Sequence, residues 1–574
     1  MDEARAMVWG WAVQFGWDGW LVQFRALYRA FLLRVIDLEL LANDADPSRL
    51  MGQFATLFIT ISFFFTIPTL FVLLGGGSFE MTSGWMCEHF FLETTMTVAG
   101  LIAVMNWESA FPDRRDVLVL APLPVSASTL FLAKVAALFA APALAMVAFN
   151  LFTGFTWSMI FAPRHSGVVG MARALLAYWC TIFLGGIFLV LTLLAVQGLA
   201  ANLLPRQVFL RVSAFLQAGA LCGLLSVYFL EPSFYSVKAL TAAGNQRALD
   251  WLPSYWFLGL FQQLNGSMDG PGYAAMAPLA HRAWMGLAVS AVGACAAMVL
   301  AYFRMMPKIE EQAEIEPVGR GWTFGLGGTL QGTVALFSVR TLLRSRQHRM
   351  ILSFYVGIGL ALLVGYFKAP FGKLAVATTG IGTTLLVGST LMMILVVLAL
   401  RMVAAIPISL RANWVVRLTQ VRPARGYRSA VRFSWLLLGV GPVWVVVAGL
   451  LLAEHSRGWP VVGHLVVVLV LGMLVVELCL ASFDKIPFTC SYLPGKANLH
   501  LVFWACLVVL IWVLNWAAKL ESRLLLRVGG TVAMVACLMA AWAVARWVNE
   551  VRGGGDELVF EEEDAVEMVS LNLR

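Results

Sequence analysis

Charge is what this chain has least of. Only 13% of its 574 residues are Asp, Glu, Lys or Arg, while 60% are hydrophobic. A soluble protein carries roughly 25% charged residues. Too little polar surface is present to cover a water-soluble globule, so a bilayer must replace water over much of it. Cysteine motifs are missing too. The eight cysteines (Cys87, Cys180, Cys222, Cys295, Cys479, Cys490, Cys506 and Cys537) lie mostly inside apolar runs and form no CxxC pair. That excludes a disulfide framework or a cysteine metal site and leaves small core residues. A phosphate loop is also absent. The nearest Gly-Lys pair, Gly495-Lys496, is followed by Ala497 where Ser or Thr is needed, and Cys490 stands where the first glycine belongs. No HExxH or GxSxG occurs, and the seven histidines are scattered on flanks and loops, with His89, His464 and His500 expected at membrane interfaces. We therefore expect no catalytic centre, no bound metal and no cofactor on this chain. At the start, Asp2 and Glu3 stand where a cleavable signal would be basic.

What is abundant is long apolar segments. A stretch of roughly 17 to 25 such residues crosses the hydrocarbon as a helix. Spans are expected near 51–74, 89–106, 130–155, 174–200, 208–230, 283–303, 350–367, 375–400, 433–453, 460–481, 499–516 and 528–545. The expected fold is thus an all-α polytopic membrane protein with about twelve transmembrane helices. With the N-terminus inside, 29 of the 40 Lys and Arg residues fall on the cytoplasmic side, as the positive-inside rule requires. The net charge of +8 is read through that topology and the lipid bilayer, not as nucleic-acid binding. Both termini are expected in the cytoplasm.

Residues 20–41 mix Trp, Phe and Leu with Arg25, Arg29 and Arg34, the pattern of an amphipathic helix lying in the interface. Residues 334–349 have the same character. Each is followed by two spans, a cytoplasmic loop and a basic residue, Lys134 or Arg432, opening a third span. This positional echo indicates an internal repeat. The expected organisation is a first six-span half with its interfacial helix (1–305), a cytoplasmic linker (306–333), a second six-span half (334–550) and an acidic tail (551–574). The tail carries Asp556, Glu557, Glu561, Glu562, Glu563, Asp564 and Glu567 and reads as a solvated segment. The longest outside loop, 231–282, holds aromatics spaced for an interfacial helix or hairpin.

Intramembrane polar residues point to function by default. Glu93 lies about one turn into the second span and Glu477 about one turn from the cytoplasmic end of the tenth. No basic partner for Glu477 is evident inside its own span. Gln197, Gln217, Asn150 and Asn515 are milder cases. The plain alternative for all of them is snorkelling or helix-to-helix hydrogen bonding.

The strongest local feature is residues 107–138. A span ends at Trp107-Glu108, Pro112 and a charged cluster (Asp113, Arg114, Arg115, Asp116) break it, and Pro122 and Pro124 precede a new span opened by Ser126 and Ser128. Proline at those positions stops a helix from continuing. This run, with Glu108, Asp113, Arg114, Asp116, Leu120, Leu123, Pro124, Val125, Ala133 and Lys134 in register, resembles the permease subunits of ABC-2-type exporters. The amphipathic helix before the first span and the large outside region before the sixth look like that family too.

The resemblance implies an ATPase-coupling loop made of Glu108, Asp113, Arg114, Arg115, Asp116, Leu123, Pro124 and Lys134. It implies a separate ABC ATPase subunit as partner, with ATP acting only through that subunit, and a place in the bacterial cytoplasmic membrane. The chain itself would be a transport subunit and not an enzyme. The second half departs from the pattern. Its loop, 406–432, is strongly basic and lacks the Leu-Pro-Val turn, so Arg411, Arg417 and Arg422 mark a second coupling loop that stays open. An ion-coupled carrier, a membrane scaffold and a lipid-modifying protein stay open as alternatives, as does a homodimer.

Overall fold

The computed structural model describes residues 17–36, 47–74, 81–107, 125–161, 167–232, 234–267, 273–311, 329–368, 381–406, 424–453, 458–481, 487–488 and 499–552. Among them are helices and no strands. The chain divides into two compact units, Met1–Pro317 and Val318–Arg574. In the first, the helices are α1 (Trp17–Ile36), α2 (Pro47–Leu74), α3 (Met81–Met105), α4 (Ala127–Asn150), α5 (Thr153–Phe161), α6 (Gly167–Leu203), α7 (Arg206–Leu230), α8 (Val237–Thr241), α9 (Ala243–Trp251), α10 (Pro253–Asn265) and α11 (Ala277–Glu311). In the second they are α12 (Leu330–Arg344), α13 (Arg346–Lys368), α14 (Thr383–Ala404), α15 (Ala424–Trp435), α16 (Gly441–Ala453), α17 (Trp459–Leu480), α18 (Leu499–Leu525) and α19 (Val528–Arg552).

Among the described residues helix lies within every expected span, with 375–380 of the eighth outside them. Seven stretches among the described residues are long and apolar enough to cross a membrane: Ser128–Asn150, Gly167–Leu203, Ala277–Leu300, Leu385–Ala404, Tyr427–Ala453, Trp459–Leu480 and Val528–Val551. Their outer faces carry large apolar side chains open to the surroundings, such as Leu176, Val289, Val292, Val445, Val446 and Leu452. So much exposed hydrocarbon along whole helices requires lipid contact, and the protein is membrane-embedded. Helix α11 continues through Glu311, so the first residues of the expected linker are helical.

The third expected span is broken in two. Helix α4 stops at Asn150, and α5 restarts at Thr153. The Ser62 hydroxyl accepts from Phe152 N at 3.0 Å and Thr153 N at 3.2 Å, satisfying donors that the break releases. The ninth expected span runs as α15, a π-helical turn at Leu436–Val440, and α16. Pro442 follows that turn and cannot donate to the ladder, so the backbone takes wider spacing there. In the second unit α14 is central, with 72% of its apolar window buried, whereas α19 is peripheral at 6%.

In the region 231–282, expected to hold an interfacial helix or hairpin, helix α10 is packed into the first unit. Its side chains Tyr255, Phe257, Leu258 and Leu260 are fully buried against α3, α6 and α11. Thirteen residues make a rod of about 20 Å, too short for a hydrocarbon core of about 30 Å. The helix therefore enters the first unit without crossing a bilayer. Gly259 permits this, because a Cβ there would come within 2.7 Å of Met276 O and Ala280 N. Gly266 ends the helix in the left-handed region at φ 77°, which suits glycine.

Candidate functional site

The residues singled out for the coupling loop divide sharply. Glu108, Asp113, Arg114, Arg115, Asp116, Leu123 and Pro124 lie outside the described residues, as do Arg411, Arg417 and Arg422. The two ends of the first loop are described, and both are anchored. At the end of α3, Gln217 of α7 donates to Val104 O at 2.7 Å, and Gln197 of α6 donates to Trp107 O. Both glutamines are buried. They satisfy carbonyls that a helix C-terminus leaves unpaired. The Trp107 indole donates to Ser213 Oγ at 2.9 Å. On the far side Ser126 caps α4 by accepting from Thr129 N at 3.1 Å, and Trp20 of α1 donates to Thr129 Oγ1 at 3.0 Å. Lys134 is buried beneath α1, its ammonium 5.5 Å from the centre of the Phe31 ring. That is a cation–π position.

The expected helix 20–41 is observed as α1, which packs on α4 through Phe24, Leu27, Tyr28, Phe31, Leu130, Ala133 and Ala137. In the second unit α12 occupies the corresponding place. It packs on α15, and Gln331 donates to Ser429 Oγ at 3.1 Å. Each unit thus folds the helix before its first expected span onto the helix that opens its third expected span.

Glu93 lies in a buried polar cluster. His89 and Glu93 are one turn apart on α3, with His89 Nδ1 3.7 Å from Glu93 Oε2. His89 Nε2 is 3.2 Å from Oε1 of Glu231, just after α7. Ser254, in the first turn of α10, donates to the same Glu231 oxygen. Tyr255 stacks on the His89 ring at 4.2 Å, and its hydroxyl donates to Pro232 O at 2.6 Å. Burial pushes the Glu231 carboxyl up, but hydrogen bonds with His89, Glu93 and Ser254 and the charge of His89 outweigh it and hold the carboxyl below its usual value. One donor atom from each of His89, Glu93 and Glu231 comes within 4.8 Å of the others.

Glu477 does have a basic partner, contrary to the reading of its span alone. Arg432 of α15 approaches with Nε 2.5 Å from Oε1 and Nη2 3.1 Å from Oε2. Asn549 of α19 donates to Glu477 O at 2.8 Å and to Oε2 at 3.2 Å. The partner lies on another helix, which spacing along one span does not reveal. Among the milder residues, Asn150 bridges Thr95 at 3.0 Å and Tyr178 at 2.8 Å inside the first unit.

His89 and His464, expected at membrane interfaces, are fully buried within their units, each beside a carboxylate. In the second unit Ser389 Oγ lies 2.9 Å from His464 Nε2, and His464 Nδ1 lies 2.7 Å from Glu521 Oε1. Ser389 and Glu521 were missed because they lie on α14 and α18, far from His464 in sequence. The order Ser–His–Glu matches a nucleophile, a base and an orienting acid. The surroundings do not match that use. All three side chains are buried, and Ser389 Oγ also donates to Leu386 O at 3.0 Å. A nucleophile needs an open face for the acyl carbon. The arrangement instead joins three helices by buried hydrogen bonds.

An apolar groove of about 410 Å³ runs between α6 and α7 beside Trp107, lined by Leu193, Val196, Val212, Phe215 and Leu216. Compared with protein-family models, with curated proteins and with solved structures, the chain matches none.

Proposed function

We propose that this chain is the membrane-embedded permease of an ATP-driven exporter. In this reading it has twelve spans in two six-helix halves, both ends in the cytoplasm of a bacterium, and a separate ABC ATPase subunit. The observation that carries the reading is the anchoring of both ends of the loop 108–124. Gln197, Gln217 and Ser213 hold the end of α3, and Trp20, Ser126 and Thr129 hold the start of α4. Such contacts satisfy helix ends, and they also suit a loop that transmits force from a partner to the spans, because displacement must pass into rigid elements to move them. The repeated packing of α1 on α4 and of α12 on α15 supports two related halves, the plan on which alternating access is commonly built. The apolar, aromatic-rich spans favour a hydrophobic or amphipathic substrate over a polyanion.

The runner-up is an ion-coupled carrier, favoured by one observation: each unit buries a histidine against a carboxylate. Both readings are tested by co-purification with the ATPase. Asp116→Ala or Arg114→Ala removes a charge from the contact, which typically costs about 2–5 kcal/mol, or roughly a 30-fold to several-thousand-fold loss of affinity. Loss of the ATPase with normal abundance of the permease is the expected result. Full transport by the Asp116 variant, with no ATPase bound and with dependence on a proton gradient, would replace this reading by the carrier.

A further inference from the structure

We propose that His89, Glu93 and Glu231 form a binding site for a divalent cation of the zinc class, which ties α3 to the connection after α7. The inference rests on the geometry of the first unit and not on the transport reading. Three donors from two separate chain segments converge within 4.8 Å. They are an imidazole nitrogen and two carboxylate oxygens, a combination that suits zinc and its neighbours. The 3.2 Å between His89 Nε2 and Glu231 Oε1 is close to the edge of a tetrahedron with metal–ligand bonds of about 2.0–2.1 Å.

The ion would bind His89 through Nε2, and the other ring nitrogen, Nδ1, lies 3.7 Å from Glu93 Oε2. The three side chains are only 1%, 13% and 4% exposed, and buried carboxylates are found paired or bound to a metal. The surroundings resemble the outer support of a metal site. Ser254 holds the Glu231 carboxylate, and Tyr255 stacks on His89 and fixes its plane.

The test uses the full chain in lipid nanodiscs, stripped with a chelator and titrated with Zn²⁺ against a chromophoric competitor. Co²⁺ then serves as a spectroscopic reporter. The expected result is one tightly held Zn²⁺ per chain. His89→Gln and Glu231→Gln should each weaken binding on the order of 100-fold or more, since loss of an outer-shell partner alone costs 10–100-fold. The Co²⁺ visible spectrum should change in His89→Gln. Asp250→Asn, whose half-exposed carboxylate pairs with Arg282 in the same region, should bind like the parent. Glu93→Gln, altering the most exposed of the three ligands, keeps the test decisive if the His89 variant does not fold. Folded parent protein that retains no stoichiometric Zn²⁺, or equal affinity in the parent and the Glu93 variant, would overturn the proposal.

Discussion

Replacing Glu477 tests how α15, α17 and α19 are held together in the second unit. The carboxylate is 1% exposed and meets Arg432, which is 16% exposed, through contacts of 2.5 and 3.1 Å. Removing one member of a fully buried pair typically costs 3–5 kcal/mol, because the other charge is left without its partner. Arg432 is not fully buried, so the lower part of that range applies. Glu477→Leu should cost about 3 kcal/mol, since it also removes the carboxylate acceptor for Asn549 while the backbone one stays. Glu477→Gln should cost about 2 kcal/mol, because an amide oxygen still accepts from Arg432 and Asn549 but without the charge. Arg432→Met should resemble Glu477→Leu. The double variant Arg432→Met/Glu477→Leu leaves neither charge stranded. It should be more stable than the sum of the single effects by about 2 kcal/mol. Unfolding by SDS titration in bicelles measures all four proteins. Additivity within about 0.5 kcal/mol would show that the pair is not coupled and would refute the reasoning.

Two further predictions concern buried histidines. Ser389→Ala should cost about 1–2 kcal/mol, since one buried hydrogen-bond partner is lost, and the parent should not react at Ser389 with a fluorophosphonate probe; labelling abolished by Ser389→Ala would restore a hydrolytic reading. Burial holds the His348 imidazole below its ordinary value of 6.5, partly offset by its hydrogen bond to Ile406 O. As pH falls the unfolded chain therefore takes up the proton first. The contribution of His348 to stability is complete above 6.5 and is lost as pH drops through that value toward the lower folded one. His348→Phe should flatten the pH dependence of the melting temperature between pH about 5 and 7, and an unchanged slope would refute the assignment.

The apolar segments were legible because a bilayer imposes a length and a composition on any helix that meets it. Helix stands at each of the twelve expected positions, and seven stretches meet the full criterion of length and apolarity. The amphipathic helices α1 and α12 were legible for the same reason: a stripe of Trp, Phe and Leu among arginines marks a helix with two unlike faces. Glu93 and Glu477 stood out as charges inside apolar runs. The burial of helix α10 was not legible, because its aromatics suit an interface and a buried wedge equally well, and composition does not separate the two.

What the sequence by itself determined was the solvent, the helical class and the positions of charges that lipid would not tolerate, since these follow from local composition. Tertiary structure alone decided the partners. Arg432 meets Glu477 across 45 residues, His464 meets Ser389 across 75 and Glu521 across 57, and His89 meets Glu231 across 142. Helices distant in sequence become neighbours only through packing. A buried polar group must then find its hydrogen bond on whichever helix packing brings beside it.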